Sequence, residues 1–501
     1  MGIVYLVGAG PGDPGLITVK GKDRIEQADC IVYDRLASPE LLAYAKSSCE
    51  IIYVGKENHH HTMKQDEINA LLVKKAEEHE TVVRLKGGDV YVFGRGGEEG
   101  IYMREHGVDF EVVPGISSAL AGLAYAGIPI THRGMAMGFH VVTAHNKRDQ
   151  LADIDFETMV RGTDTNVFLM GLSKLPEIVV KLVSAGMTKE MPVAVISHAT
   201  MKEQKTCVGT LDTIVEKVEE AGLTSPALIV VGNVIRLREQ LNFWEKKDCF
   251  GKKVLVPRIG KERSTLSIGL DELGADVVDV QVGEILPIQD AFSAEQMEAA
   301  IWIVLTSKNG VESFFEEVRR QKIDHRIFAQ KKFAVIGEKT KEALEEKGFY
   351  ADLMPKTYTS EALCELLAAK VSKEDTIFYG HPSGLEMDGI SKLEEACNVE
   401  WISLYENQDC SPECIDAAGC QSMCFTCASS VRRVWELLNE GIREKMMDGK
   451  IEVFSIGPKT TKELENYGIM NIREAQKATI GSMLEDFVLK ENKTPASIDS
   501  K

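Results

Sequence analysis

Apolar and charged positions alternate in short blocks along the chain. Runs rich in apolar and β-branched residues, such as 3–7 and 81–85, are followed by stretches such as 18–27 and 98–106, in which charged residues recur among apolar ones. The first pattern predicts buried strands and the second predicts amphipathic helices. Because the two patterns alternate repeatedly, we expect an α/β protein with largely parallel sheets.

The alternation is interrupted near residue 250, where a charged connector separates two blocks. A new strand is predicted to begin at Lys253, directly after this connector. Residues 491–501 contain almost no apolar side chain and are predicted to form a disordered tail. We therefore expect one folded block over 1–248 and a second over 249–490.

The second block contains an internal repeat. Leu305-Thr-Ser-Lys-Asn-Gly-Val matches Phe425-Thr-Cys-Ala-Ser-Ser-Val, and Val335-Ile-Gly-Glu-Lys-Thr matches Ser455-Ile-Gly-Pro-Lys-Thr, both at an offset of 120 residues. Two separate matches at one offset are hard to obtain by chance and indicate a duplicated α/β unit. We expect two similar domains with a cleft between them, since ligands favour such domain interfaces.

The net charge and composition of the whole chain argue against several classes of function. A formal net charge of −19 leaves no overall positive field for a nucleic acid, although a local basic pocket can hold a small anion. The apolar runs are too short to cross a bilayer, and the N-terminus lacks the basic segment of a signal peptide. The 11 cysteines are odd in number and irregularly spaced. We expect a cytoplasmic protein with reduced thiols and with neither a nucleic-acid nor a membrane partner.

Three glycine-containing loops follow predicted strands in the first block: Gly8-Ala-Gly-Pro-Gly-Asp-Pro-Gly15, Arg84-Leu-Lys-Gly-Gly-Asp89 and Val113-Pro-Gly-Ile-Ser-Ser118. Paired glycines permit close approach of the backbone to a ligand. A dinucleotide site, with Asp34 as the ribose-binding acid, is a rival interpretation, but the first loop has the wrong glycine spacing and its prolines lack the amides that a phosphate needs. Each loop alone is also consistent with a plain rigid turn.

Further motifs accompany these loops in a specific order: Tyr33-Asp-Arg-Leu, Tyr53-Val-Gly-Lys, Gln65-Asp-Glu-Ile-Asn, Phe93-Gly-Arg-Gly-Gly-Glu-Glu, Ala126-Gly-Ile-Pro-Ile-Thr-His-Arg and Ser225-Pro-Ala-Leu-Ile-Val-Val-Gly. With them, residues 1–245 resemble uroporphyrinogen-III C-methyltransferase of the tetrapyrrole methylase superfamily. The resemblance implies a two-domain tetrapyrrole methylase fold with a hinge near 130–135 and a cofactor trough. It also implies S-adenosylmethionine as the cofactor and a homodimer formed through this half.

The resemblance also implies site residues by motif position. The residues expected to contact S-adenosylmethionine are Pro11, Gly87, Gly88, Asp89, Val92, Ser117, Ser118, Met170 and Ala199. Asp34 matches the proton acceptor of the family and Lys56 matches its proton donor. Two positions depart from the family, since Ala199 stands where Gly is usual and Val90 stands where Pro is usual.

The substrate of that family carries acetate and propionate groups on every pyrrole ring. Arginine grips carboxylates bidentately, and the matched motifs contain four candidates, Arg35, Arg84, Arg95 and Arg133. Without the resemblance, any single arginine is better explained as a solvated surface residue, and Asp34 is equally well explained as a helix cap or a surface acid. The electron-rich pyrrole carbons attack the sulfonium methyl directly, so positioning should dominate catalysis, and a carboxylate then suits removal of the ring proton.

Residues 251–490 resemble uroporphyrinogen-III synthase, through the repeated motifs and Tyr358-Thr-Ser-Glu-Ala-Leu. The resemblance implies a two-domain, duplicated α/β fold, with one subdomain formed by 251–285 plus 410–490 and the other by 288–405. It implies cyclisation of hydroxymethylbilane with loss of water and inversion of the last ring. The residues expected to hold the substrate are Thr306, Ser307, Asn309, Tyr405, Ser429 and Ser430. The segment Tyr379-Gly-His-Pro-Ser-Gly departs from the family, which often has an arginine-rich turn there.

Two clusters invite a metal site, and we expect neither to bind metal. In the family a histidine commonly lies near position 61 without metal, which accounts for His59, His60 and His61. Of Cys410, Cys414, Cys420, Cys424 and Cys427, only the last two have knuckle spacing. Cys427 also aligns with Ser307 in the repeat, as a substitution within a strand and its turn.

Together the resemblances predict a bifunctional enzyme. The first half would methylate uroporphyrinogen III at C-2 and C-7 to precorrin-2, upstream of sirohaem or cobalamin, and the second half would supply uroporphyrinogen III. Two alternatives remain open. The first half could act on a later corrin intermediate, and the second block could be a non-catalytic ligand-binding module.

Overall fold

The structure is a computed structural model that describes residues 1–55, 63–146, 150–260, 262–384, 391–410, 415 and 417–491. The chain forms two compact units, one of Met1–Lys252 with Glu272–Asp276 and one of Lys253–Asp271 with Val277–Lys501. Both units combine sheets with helices, which confirms the predicted α/β class. Among the described residues, no helix has the length and apolar content to span a membrane.

The first sheet of the first unit is entirely parallel. Its strands are β1 (Ile3–Gly8), β2 (Cys30–Tyr33), β3 (Glu50–Tyr53), β4 (Thr81–Lys86) and β5 (Asp109–Val113), in the order β3-β2-β4-β1-β5. The helices between them are α1 (Val19–Gln27), α2 (Gln65–Glu78) and α3 (Gly96–Glu105), and α4 (Ser118–Tyr125) follows β5. Apolar clusters cover both faces, with Leu6 on one and Val7 on the other. Burial on both faces explains why β1 and β2 form continuous apolar runs in the sequence.

The second sheet of this unit is mixed, so the expectation of largely parallel sheets is wrong here. Its strands are β6 (Phe139–Thr143), β7 (Thr165–Leu169), β8 (Pro192–Ser197), β9 (Lys205–Thr210) and β10 (Ala227–Val231), in the order β6-β7-β10-β8-β9. Only β6 and β7 pair in parallel, while β10 runs antiparallel between β7 and β8, and β8 pairs antiparallel with β9. The short connection between β8 and β9 permits only antiparallel pairing. The helices are α5 (Phe156–Val160), α6 (Leu175–Ser184), α7 (Ile214–Glu220) and α8 (Arg238–Leu241).

The described residues of the second unit form one sheet of nine strands. These are β11 (Lys253–Ile259), β12 (Asp276–Pro287), β13 (Trp302–Leu305), β14 (Lys332–Val335), β15 (Thr376–Pro382), β16 (Asn398–Asp409), β17 (Ser422–Phe425), β18 (Glu452–Ser455) and β19 (Ile472–Glu474). Their order is β14-β13-β15-β16-β12-β11-β17-β18-β19. The helices are α9 (Thr265–Glu272), α10 (Ala294–Ala299), α11 (Lys308–Arg320), α12 (Glu338–Glu346), α13 (Ser360–Ala368), α14 (Ser391–Ala396), α15 (Ala428–Leu437), α16 (Glu440–Met447), α17 (Pro458–Asn466) and α18 (Ile480–Glu491).

The repeat predicted from the sequence is present in this unit. β13, α11, β14, α12 and α13 begin 120 residues before β17, α15, β18, α17 and α18 respectively. The long strands β12 and β16 pair antiparallel at the centre of the sheet and join the two copies. One copy is contiguous in the chain, whereas the other combines β11 and β12 with the C-terminal strands.

Candidate active sites

Three loops that follow neighbouring strands of the first sheet meet at one edge. β4, β1 and β5 lie side by side and run parallel, so their carboxyl ends share that edge. Gly10 and Gly88 exchange two backbone hydrogen bonds, with N···O distances of 3.2 and 2.7 Å. The amide of Gly115 donates to Oδ2 of Asp89 at 3.0 Å. The glycine loops therefore form one backbone surface at the edge where α/β sheets bind ligands.

Close approach requires glycine at three points of this surface. A Cβ on Gly8 would lie 2.6 Å from the Cα of Gly115, and a Cβ on Gly115 would lie 2.3 Å from the carbonyl oxygen of Gly88. A Cβ on Gly87 would lie 2.4 Å from the Cβ of Leu36. Gly87 thereby packs against the turn that follows β2.

Gly88 differs because the side chain it lacks would enter open space. Its φ is +69°, and no heavy atom of the described residues beyond its chain neighbours lies within 4 Å of the Cβ position. The backbone here forms a cradle that a side chain would fill and a ligand can occupy. This observation fits the predicted cofactor contact.

Asp89 organises the loop that follows β4. Its Oδ1 accepts hydrogen bonds from the amides of Tyr91 and Val92 at 2.8 and 3.1 Å, while its Oδ2 holds Gly115. Val92 is consequently presented with its side chain exposed. Both carboxylate oxygens already serve the backbone, so Asp89 sets the shape of the predicted cofactor loop.

Ser117 and Ser118 begin α4, directly after the Gly115 turn. Ser117 is buried, and its hydroxyl accepts a hydrogen bond from the amide of Ala119 at 3.3 Å as the helix cap. Ser118 is half-buried at the first helical position. Both residues lie at the edge to which the glycine loops contribute.

The second sheet contributes two further predicted cofactor residues. Met170 follows β7 and Ala199 follows β8, and both strands pair antiparallel with β10, so their carboxyl ends point the same way. Met170 adopts a φ of 55° and is 53% exposed. Ala199 is buried between His198 and Thr200, whose φ values are 49° and 70°. The chain takes a strained path at both places, which is common beside ligands.

Asp13 connects the loop after β1 with the loop after β8. Its amide donates to Oγ1 of Thr200 at 3.1 Å, and its Oδ2 accepts a hydrogen bond from the hydroxyl of Tyr125 at 2.6 Å. The half-buried Pro11 lies in the same loop as Asp13. The structure thus brings the loops of Pro11 and Ala199 together.

Asp34 follows β2, the strand next to β4. Its side chain is 27% exposed, its Oδ2 accepts a hydrogen bond from Arg84 at 2.8 Å, and its Oδ1 accepts one from the amide of Leu36 at 3.1 Å. The carboxylate is therefore held at the same edge as the glycine loops. Lys56, the predicted proton donor, lies outside the described residues, as do His59, His60 and His61.

The four predicted substrate arginines differ in their surroundings. Arg35, Arg95 and Arg133 are exposed, and Arg95 is paired with Glu98 at 2.6 Å. Arg84 is 3% exposed and its donors face protein acceptors. The guanidinium of Arg84 already donates to Asp34, to Glu99 and to two backbone carbonyl oxygens, so at most one of its five N–H groups is left for the predicted substrate contact.

Sequence reasoning missed Glu99, which is 0% exposed and bonds to Lys86 at 2.8 Å. The motif shows two adjacent glutamates and does not by itself separate them. The signal is the helical phase, because the buried positions of α3 are Gly96, Glu99, Gly100 and Met103. This i, i+3, i+4, i+7 spacing marks the inner face of a helix.

A cavity of about 430 Å³ lies along β6, between Phe93 and the start of α5. Asp153 and Asp155 line it, together with His140. Two carboxylates disfavour a polycarboxylate ligand.

In the second unit, Ser307 and Tyr405 form a pair. Ser307 caps α11 by accepting a hydrogen bond from the amide of Gly310 at 3.0 Å, and its hydroxyl lies 3.0 Å from that of Tyr405. Tyr405 is 5% exposed, and burial raises the pKa of its phenol. Thr306 donates to the carbonyl oxygen of Gly380 at 3.3 Å. Asn309 is half-buried on the first turn of α11.

The second copy of this turn is built differently. Cys427 replaces Ser307 and makes no side-chain cap, although its sulfur lies 3.2 Å from the Ser429 hydroxyl. Ser430 is 1% exposed and donates to the carbonyl oxygen of Cys427 at 2.8 Å. Because that hydroxyl is buried and engaged, Ser430 stabilises the helix start, and substrate contact is retained as a prediction for Ser429.

Among the described residues, the one group with metal-ligand geometry is Cys30, Glu50 and His79, in the first unit. Lys75 occupies both oxygens of Glu50 at 2.9 and 3.0 Å, and burial raises the pKa of the Cys30 thiol to about 12. An ammonium group and a protonated thiol both oppose a bound cation. Cys410, Cys420, Cys424 and Cys427 form no disulfide among the described residues, and Cys414 lies outside them.

We expect chelating agents to leave thermal unfolding and both activities of the purified protein unchanged. Cys424 is fully buried in β17, and Cys427 lies beside a serine hydroxyl, so neither is arranged as a ligand. Unfolding curves and turnover with and without EDTA would check this expectation. Stoichiometric zinc or iron by elemental analysis would contradict it.

Comparison with known proteins agrees with the two-part organisation. Residues 3–215 match the Tetrapyrrole (Corrin/Porphyrin) Methylases, and residues 285–485 match the family of uroporphyrinogen-III synthase HemD. The porphyrin biosynthesis protein HemD of Ruminiclostridium josui is 37% identical over 499 residues, which cover 97% of each chain. The chain belongs to this family. It is a fused tetrapyrrole methylase and uroporphyrinogen-III synthase, as predicted.

Two other relatives match the methylase half of the fused enzyme. Uroporphyrinogen-III C-methyltransferase of Priestia megaterium is 49% identical over 235 residues, which cover 47% of this chain and 99% of the relative. A Bacillus subtilis protein of the same name is 43% identical over 351 residues, which cover 70% of this chain and 72% of the relative. The second match extends beyond the methylase unit of the fused enzyme.

Proposed function

We propose that the fused methylase–synthase converts hydroxymethylbilane into precorrin-2. The second unit closes the linear tetrapyrrole to uroporphyrinogen III, and the first unit methylates that product at C-2 and C-7. The observation that carries the proposal is the meeting of the glycine loops, with Asp34 fixed at the same edge. Membership of both families supports the pairing of the two reactions in one chain.

S-adenosylmethionine is the proposed methyl donor and supplies a sulfonium-bound methyl group. Gly88 offers an open backbone cradle, and Asp89 fixes the loop that carries Val92. The remaining proposed contacts are Pro11, Gly87, Ser117, Ser118, Met170 and Ala199, which all lie in loops at the carboxyl ends of strands or at the start of α4. The side chains of these six residues are uncharged, so they position the cofactor without placing a charge beside it. This suits a reaction in which sulfur loses its positive charge.

Asp34 is the proposed proton acceptor. Carbon–carbon bond formation at a pyrrole ring leaves a proton to be removed, and a fixed carboxylate beside the site accepts it. Arg35, Arg95 and Arg133 are exposed and are proposed to bind the acetate and propionate groups of the substrate. Lys56 is proposed as the proton donor on family grounds.

In the second unit, the substrate is reactive by itself, so the enzyme has to fold it and exclude unassisted closure. Thr306, Ser307, Asn309 and Ser429 are proposed to hold its carboxylates at the starts of α11 and α15, the corresponding helices of the two repeat copies. The buried phenol of Tyr405 orients the Ser307 hydroxyl and is proposed to lie next to the substrate. The division of this unit into 251–285 with 410–490 and 288–405 is proposed to define its binding cleft.

We expect the single purified chain, given hydroxymethylbilane and S-adenosylmethionine, to make a dimethylated product without another enzyme. Tethering the two units raises the effective concentration of uroporphyrinogen III for the first unit. Mass spectrometry of anaerobic reactions would detect the product. Residues 1–248 alone should methylate supplied uroporphyrinogen III and fail to use hydroxymethylbilane. If the full chain yields only the type I ring isomer, the synthase assignment fails and the methylase assignment survives.

We further propose a homodimer formed through the methylase unit and a location in the cytoplasm. Several large apolar side chains of this unit are exposed, including Met137 at 79% and Phe139 at 47%, and dimerisation would cover such surface. The ten described cysteines form no disulfide with one another, which suits a reducing compartment.

A further inference from the structure

A cluster of buried charges lies behind Asp34. Arg84 and Lys86 occupy alternate positions on β4 and therefore project to the same face of the sheet. Glu99 of α3 meets both of them, and these three residues are 3%, 4% and 0% exposed respectively. Charged side chains are almost never buried this deeply unless they are paired.

The Glu99 carboxylate is the centre of this cluster. Its Oε1 accepts hydrogen bonds from Lys86 at 2.8 Å, from Gln65 at 3.0 Å and from Nε of Arg84 at 3.4 Å. Its Oε2 is buried and has no hydrogen-bond partner among the described residues. Burial, with the neighbouring Arg84 cation, lowers the pKa of Lys86, and Glu99 opposes that shift. Glu99 is thus the group that keeps two cations together in a water-poor space.

Arg84 connects the buried Glu99 carboxylate to the more exposed carboxylate of Asp34. Its NH1 donates to the carbonyl oxygens of Leu85 and Val32 at 3.0 and 3.4 Å, and its Nε faces Glu99. The remaining NH2 group donates to Oδ2 of Asp34 at 2.8 Å. Since the guanidinium is planar and held on its other sides, it fixes Oδ2 of Asp34, while the amide of Leu36 holds Oδ1.

We propose that Glu99 is a positioning residue for methyl transfer, holding Arg84 so that the guanidinium fixes the carboxylate of Asp34 toward the reacting ring. The inference rests on the proposed role of Asp34 as proton acceptor. It replaces the substrate-binding role predicted for Arg84 with one that acts through Asp34. A small misplacement of a reacting group can lower a rate by about 10²-fold, so a buried acid that touches no substrate can control turnover.

The first test is Glu99→Gln in the full chain. Glutamine keeps the shape and one acceptor oxygen and removes the charge that holds Arg84. We expect the kcat of methylation to fall by about 10²-fold, with the Kd for S-adenosylmethionine within about threefold of the unchanged protein. Glu105→Gln, at an exposed position of the same helix, is the matched control and should leave kcat unchanged.

A second variant separates orientation from charge. Arg84→Lys retains the positive charge and loses the planar donors, so we expect a loss in kcat similar to that of Glu99→Gln. S-adenosylmethionine binding and thermal unfolding of each variant report whether the first unit is folded. Normal methylation by folded Arg84→Lys protein would overturn the proposal.

The deciding measurement is a double-mutant cycle with Asp34→Asn. If Glu99 acts through Asp34, adding Glu99→Gln to Asp34→Asn should lower the residual single-turnover rate by less than about twofold. Losses that multiply in the double variant would show that Glu99 acts by another route and would overturn the positioning role. Normal turnover of Asp34→Asn alone would instead remove the proposed proton acceptor, so the two failures are distinguishable.

Discussion

Replacing Asp34 with Asn will lower methylation by roughly 10²- to 10⁴-fold and leave S-adenosylmethionine binding intact, as expected when a general base is removed. Asparagine keeps one oxygen, which can accept the hydrogen bond from Arg84, and places an NH2 group where Oδ1 accepts from the amide of Leu36. It cannot take up the proton that the pyrrole ring releases. Among the described residues, the cofactor loops do not contact either oxygen of Asp34. We therefore expect methylation to fall while S-adenosylmethionine binding is retained.

Calorimetry with S-adenosylmethionine and anaerobic turnover with uroporphyrinogen III would measure these two effects. Asp23→Asn is a suitable control, because Asp23 is an exposed acid on α1 of the same unit. Near-normal turnover in Asp34→Asn, with the control also normal, would show that another group accepts the proton.

Replacing Gly88 with Val will abolish S-adenosylmethionine binding while the chain stays folded. The Cβ of valine would enter the open cradle, where no heavy atom of the described residues beyond its chain neighbours lies within 4 Å, so we expect the side chain to exclude the ligand. The left-handed φ of +69° adds backbone strain of about 1–3 kcal/mol. Calorimetry should show no binding at concentrations that saturate the unchanged protein.

Gly107→Val is the control for strain. Gly107 has a φ of +72° and also faces open space, at the end of α3. Both variants therefore carry the same kind of backbone penalty, and only Gly88→Val should lose binding. If Gly88→Val binds within a few-fold of the unchanged protein, the cofactor lies elsewhere.

The sequence predicts the glycine loops of the first unit because they lie between periodic elements. The glycines that allow close approach of the backbone can be identified in the sequence. The contacts among Gly8, Gly88 and Gly115 follow from the order of the parallel strands. The burial of Arg84 is not visible, because an arginine within a strand looks the same whether it faces solvent or an internal acid. Its partner Glu99 comes from another element 15 residues away, and only the phase of α3 places it inside.

In the second unit, too, the sequence predicts the features that have a local signal and misses a feature that depends on distant residues. The offset of 120 residues gives the repeated elements directly, since each strand and helix recurs at that spacing. The antiparallel pairing of β12 with β16 has no local signal, because it depends on the relative direction of strands from the two copies. The mixed second sheet of the methylase unit was missed for the same reason.

One copy of the repeat is assembled from two separate parts of the chain, and this affects when its strands can pair during synthesis. Val254 of β11 pairs with Ser422 of β17, so a strand synthesised early finds its neighbour only after most of the unit has left the ribosome. Pairings that are distant in the chain form slowly, and until then an unpaired strand edge is exposed to other chains. The methylase unit is synthesised almost entirely before β17, so its strands do not depend on the C-terminal residues for their pairing. Translation order therefore lets one catalytic unit mature while the other still lacks its last strands, and C-terminal truncation harms the synthase unit first.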